Sequence, residues 1–209
     1  MTTGTLALLG GGPFVANDVV DARLIAATGA REVVVLPTAD AFEHPSRLID
    51  TAREWGSRLG VSIDGRMVLR RAEANQKTHA QAVRDARMVY LAGDSPLHLR
   101  SVLKNTAIFE ALLHVLQNGG VVAATGASAA CLCDPMTDPR GGAFSLGLGL
   151  VSDLAVLTET ELSSPERLHR TLQLAKNFAV AVLPTGSAIL RVGSKWETFG
   201  KAQIHGILP

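Results

Sequence analysis

Cysteine is scarce in this chain, long apolar runs are missing, and neither sign of charge dominates; each deficit removes a class of protein. The two cysteines, Cys131 and Cys133, lie too close together to staple a fold. No second pair of metal ligands lies near them in sequence, so buried thiols are expected, with neither metal nor cofactor. The formal net charge of +1 and the scattered basic residues, of which only Arg70 and Arg71 are adjacent, give no footprint for nucleic acid or a membrane surface. No segment reaches the length of a membrane span, and the first residues carry neither a charged leader nor a long apolar stretch. Repeats, low-complexity tracts and long linkers are missing as well. A cytoplasmic protein with one domain over residues 1–209 is expected. Composition leaves the oligomeric state undecided, a homodimer included.

What the chain does have is apolar content, 47% of 209 residues, which suffices for one good core. Strand and helix patterns alternate along most of its length. Strands are predicted at Thr5–Leu9, Glu32–Leu36, Met67–Leu69, Met88–Ala92 and Val121–Ala124. Helices are predicted at Val19–Thr28, Ser46–Leu59 (capped by Ser46), Gln76–Asp85 and Ala107–Asn118. After a loop over Pro135–Gly149 come a strand at Leu154–Leu157 and a helix at Pro165–Asn177. Three strands without intervening helices follow, at Ala179–Leu183, Ala188–Val192 and Lys201–Ile207. Such alternation builds a parallel sheet with helices on both faces, because parallel crossovers carry them. The expected fold is therefore α/β: a flavodoxin-like, doubly wound, three-layer and mainly parallel sheet, extended by antiparallel strands near the C-terminus.

Ligands in sheets of this kind bind beyond the carboxyl ends of the strands. Those ends read Gly10–Pro13, Pro37-Thr38, Gly93–Ser95 and Gly126–Ala129, and they would share one rim. Along Val121-Val-Ala-Ala-Thr-Gly-Ala-Ser-Ala-Ala130, a buried strand runs into a turn of small residues. That is the pattern of a nucleophile elbow, in which Ser128 would be lifted above the sheet edge on a strained backbone. Ala130 stands where the motif has its second glycine. On this segment alone, an ordinary small-residue turn with an incidental serine fits equally well.

Taken in order, Leu8-Leu-Gly-Gly-Gly12, Val34-Val-Leu-Pro-Thr-Ala39, Ala92-Gly-Asp-Ser95, Thr125-Gly-Ala-Ser-Ala129, Gly147-Leu-Gly-Leu150 and Gly186-Ser-Ala-Ile-Leu190 resemble the dipeptidase E and cyanophycinase group of serine peptidases, on the class I glutamine amidotransferase-like fold. The resemblance spans nearly the whole chain. It implies a serine nucleophile, Ser128, with the amides of Gly93 and Ala129 as an oxyanion hole. It also implies a short peptide or isopeptide substrate, such as an aspartyl dipeptide or an aspartate–arginine isopeptide. Gly11, Gly12, Asp94, Ser95 and Arg100 would line its pocket, Arg100 or Arg140 pairing with a carboxylate.

Three positions depart from that family's pattern. Ala92-Gly93-Asp94-Ser95 shortens a polar side chain of the active-site turn. The position of the family histidine falls at about Glu159, and no histidine lies between His114 and His169. Pro184-Thr185-Gly186 stands where the family carries an acid. A serine without a base is a poor nucleophile, so the activating group would have to be Glu159 or an imidazole from elsewhere. His98, just past the Gly93–Ser95 turn, leads the imidazoles, ahead of His44 and His169. Three readings follow: a serine hydrolase with a rearranged base, a degenerate member that binds a ligand or serves an assembly, and an enzyme using Cys131 or Cys133. The last suffers because both thiols lie about one helical turn past the elbow.

Overall fold

Along Glu32–Leu36, Val33 and Val35 face one side of the sheet and Val34 and Leu36 the other, and all four are buried. The same two-sided burial holds for Leu6 and Leu8 against Ala7 and Leu9, and for Val122 and Ala124 against Val121 and Ala123. A strand apolar on both faces needs a helical layer on each side of its sheet. A computed structural model describes residues 3–138 and 140–209 and has that arrangement. Met1, Thr2 and Pro139 fall within the N-terminal stretch and the loop over Pro135–Gly149 predicted above, and they lie outside the described residues.

Seven strands form the main sheet, in the order Lys195–Phe199, Ala188–Val192, Thr5–Leu9, Val121–Thr125, Met88–Leu91, Glu32–Leu36 and Ser62–Gly65. The last five are parallel, and the first two run antiparallel at one edge. One face is covered by helices Asp18–Thr28 and Pro45–Leu59, whose Val20, Leu24, Ile49, Ala52 and Trp55 are buried there. The other carries Lys77–Asp85, Pro96–Leu103, Ala107–Gln117 and Ala127–Leu132. The fold is thus the flavodoxin-like α/β architecture expected from the apolar runs. Among the described residues, no helix is long and apolar enough to cross a membrane.

A second sheet forms after the elbow. Leu154–Thr158 pairs in parallel with Ala179–Leu183, helix Pro165–Leu174 making the crossover, and Gln203–His205 adds antiparallel. Ala179–Leu183 therefore does not extend the main sheet as predicted; the crossover helix carries it to a sheet of its own. The predicted strand at Lys201–Ile207 shrinks to Gln203–His205. An unpredicted edge strand, Lys195–Phe199, pairs with Ala188–Val192 across Gly193, whose φ of 61° suits a tight hairpin. The strand expected at Met67–Leu69 lies earlier, at Ser62–Gly65, because its pairing with Glu32–Val35 fixes it there. Gly65 packs so closely on Ile49 that a Cβ would come within 2.7 Å of it. Ser46 is not a cap: Pro45 opens that helix at its first turn, and His44 precedes it. Within the predicted loop over Pro135–Gly149, Met136–Thr137 pairs with Phe144–Ser145.

Three aromatic rings meet on one face of the main sheet. Phe14 packs 5.3 Å from Trp55 and 4.9 Å from Tyr90, centroid to centroid, and all three are fully buried. Asp21, also fully buried, accepts a hydrogen bond from Trp55 Nε1 at 3.1 Å. Burial raises its carboxyl to about pH 7 in spite of that bond, with the Asp18 charge adding to the rise.

Candidate active site

The carboxyl ends of four parallel strands and of Leu154–Thr158 converge on one rim. Backbone hydrogen bonds lace that rim together. Gly126 N–H donates to Leu9 O at 3.0 Å, Glu159 N–H to Gly10 O at 2.8 Å, and Gly10 N–H to Ser187 O at 2.8 Å. Asn17 Nδ2 supports the glycine turn from below by donating to Gly11 O at 2.8 Å. Above the rim lies a cavity of about 320 Å³, lined among others by Asp94, Ala127, Ala130, Thr158, Glu159 and Arg167. Val156, Leu157, Leu162 and Leu168 supply its apolar walls.

The elbow strand ends at Thr125 and the next helix begins at Ala127, so residue 126 alone makes the turn. Gly126 has φ 59° and ψ −135°, a conformation nearly confined to glycine. A Cβ built on it would meet no atom within 4 Å beyond its chain neighbours. Ser128 does not carry the strained angle expected of it. It lies inside helix Ala127–Leu132, fully buried, and its Oγ donates to Gly93 O at 3.1 Å. The small residues that suggested an elbow serine do pack tightly, but the helix starts one residue before Ser128 and turns its hydroxyl under the Gly93 loop. Ala127 and Ala130 face the cavity instead. The amide of Ala129 donates to Gly126 O at 3.0 Å, which engages it in the turn.

Glu159 lies in the cleft, at the end of Leu154–Thr158 and in the left-handed region with φ 51°. Its carboxyl is held above the ordinary range, first by burial and then by the charges of Asp94 and Glu161, with the Gly12 amide pulling the other way. Gly11 touches it: a Cβ there would stand 2.4 Å from Glu159 Cγ. Asp40, on the neighbouring loop, is raised as well, chiefly by burial, and Asp94 adds to that.

The other predicted residues scatter. None of the six histidines lines the cavity. His98 Nε2 bonds Leu69 O at 2.9 Å, and its ring meets Phe42 edge-on at 4.6 Å, outside the cleft. His169 pairs with Gln173 on its own helix, and His44 is an exposed residue at a helix start. Arg100 Nε donates to Gly147 O at 3.1 Å, and Arg140 pairs with Asp138 on the surface. Ser95 precedes helix Pro96–Leu103, its amide donating to Ala39 O at 2.9 Å. Arg167, which the sequence did not suggest, lines the cavity; its place in the first turn of the helix after Glu159 was the available signal.

Cys131 and Cys133 are fully buried. Cys131 Sγ donates to Pro96 O at 3.2 Å, and burial pushes its thiol up to about 12. Burial pushes Cys133 up as well. Neither is a thiolate near neutral pH, which removes the footing for a cysteine nucleophile. Among the described residues, no three His, Cys, Asp or Glu side chains converge to hold a metal ion.

The family model described as peptidase family S51 matches residues 6–199. A solved peptidase from an acI-B1 actinobacterium superposes with a TM-score of 0.85 at 23% identity, over 98% of this chain and 90% of that one. A putative peptidase E from Listeria monocytogenes EGD-e gives 0.72 at 16% identity, over 94% of this chain and 98% of that one. At these identities the two structures support the fold. No curated protein sequence matches the chain.

Proposed function

The chain belongs to peptidase family S51, and from that premise we propose that its cleft binds a short peptide or isopeptide without using Ser128 as a nucleophile. One observation carries this reading: the Ser128 hydroxyl is fully buried and donates its proton to the Gly93 carbonyl. A carbonyl oxygen holds that proton in place but does not remove it as attack proceeds. Where a triad member is missing, binding and oxyanion contacts leave only roughly 10³–10⁴-fold over water.

The lining suits a zwitterion. Asp94 and Glu159 would receive an ammonium, Arg167 a carboxylate, and Leu157, Leu162 and Leu168 the apolar part between them. A dipeptide, or an isopeptide with free amino and carboxyl groups, has that charge layout. A second reading, hydrolysis with Glu159 as general base, draws on its place in the cleft and its raised carboxyl, a shift toward useful basicity.

Incubation with a fluorophosphonate, followed by intact-mass analysis, tests the proposal. Wild-type protein is expected to stay unlabelled while binding dipeptides in calorimetry. A phosphonylated Ser128 would overturn it. Dipeptide hydrolysis that vanishes in a Glu159→Gln variant would favour the second reading.

A further inference from the structure

An elbow presents its nucleophile from the single strained residue between strand and helix, because only there does the side chain stand clear of both. In this chain that residue is Gly126, with φ 59° between the strand ending at Thr125 and the helix starting at Ala127. An added Cβ would enter open space, whereas the side chain of Ser128 points into the packed Gly93 loop. We infer that residue 126 is the nucleophile position of this cleft and that glycine leaves it vacant. The turn survives as a scaffold: it leads directly into Ala127, which faces the cavity with Ala130, and it carries no group that could attack a bound carbonyl.

The inference deepens the peptide-binding reading, since a turn without a side chain leaves the open space at Gly126, next to the cavity-lining Ala127, to a bound peptide. It also says where a reactive group would have to be placed for this cleft to acquire covalent chemistry. The same strained turn accounts for why Ser128, two residues further on, is positioned by helical geometry and not by the elbow.

Two cysteine variants decide it. Gly126→Cys and Ser128→Cys are treated with iodoacetamide under native conditions and weighed intact. Wild-type protein is the blank, because Cys131 and Cys133 are buried. The Gly126→Cys thiol is expected to alkylate about tenfold or more faster than that of Ser128→Cys, as an exposed thiol outpaces a buried one. Equal rates, or a faster Ser128→Cys, would overturn the inference. Gly126→Cys is expected to fold at some cost in stability, since φ 59° strains any side chain even where space is open; a variant that fails to fold would overturn the inference. Protection of the Gly126→Cys thiol by a saturating dipeptide tests the peptide-binding reading separately. Rapid alkylation without protection would sink that reading and leave the vacancy standing.

Discussion

Gly11 and Glu159 come from different sheets and meet so closely that a Cβ on the glycine would stand 2.4 Å from the glutamate's Cγ. The contact holds the carboxylate in the cleft, and it makes glycine at position 11 a condition for the placement of Glu159. Gly11→Ala is expected to push the glutamate aside, weakening dipeptide binding about tenfold while costing roughly 1–3 kcal/mol of stability for the overpacking. Calorimetric titration and a thermal melt read the two effects. Unchanged affinity would remove Glu159 from the binding site.

Glu159→Gln keeps the shape and removes the charge. Loss of a charge-assisted contact to an ammonium is expected to weaken dipeptide binding by about 1.5–3 kcal/mol. Because the Glu159 carboxyl sits above its ordinary range, wild-type affinity should climb as pH rises from the acid side and the group ionises. The variant should lack that climb. Titrations across the mildly acidic range compare the two directly.

Ser128→Ala deletes a buried hydroxyl and leaves the Gly93 carbonyl without its donor. A stability loss of about 1–3 kcal/mol is expected, with dipeptide affinity within twofold of wild type (~0.4 kcal/mol). Denaturant unfolding and calorimetry measure both. A large affinity loss with intact stability would assign the hydroxyl to the ligand.

Asp21 titrates at about 7 in the folded state against 3.8 in the unfolded chain. The folded state therefore holds a proton that the unfolded state releases. The stability this group contributes is complete below pH ~4, falls roughly tenfold in folding constant per unit above that, and is lost once pH passes about 7. Asp21→Asn, which keeps an oxygen to accept from Trp55 Nε1, should flatten this slope. Melts of both proteins between pH 4 and 8 check it; parallel curves would show that Asp21 does not titrate in that window.

The parallel core was legible because two-sided burial leaves its mark on the sequence: Val33–Leu36 and Val121–Ala124 are uninterrupted apolar runs. Edge strands carry no such mark. Ser62–Gly65 and Lys195–Phe199 are mostly polar, and their pairing partners place them, although Gly193-Ser194 between alternating runs was a hairpin signal open to reading. In the site, a motif fixes which residues stand in line but not where the helix begins. A difference of two residues moved the strained angle from Ser128 to Gly126 and turned the hydroxyl inward. The only glycine in Thr125–Ala130, placed where a strand must reverse, was the available clue. The family resemblance, which puts a histidine at the end of the strand after Gly147–Leu150, pointed to Glu159, and that residue lines the cavity. The isolation of His98 was not legible, because its bond to Leu69 depends on a loop whose path no periodicity records.

The hydrogen bonds of Gly10 to both Ser187 and Glu159 make it a rivet between the two sheets. A hinge opening across the cleft would have to break the bond from Glu159 N–H to Gly10 O. A peptide bound as proposed would meet a rim already tied by backbone bonds, and little of the cost of binding would go into ordering it.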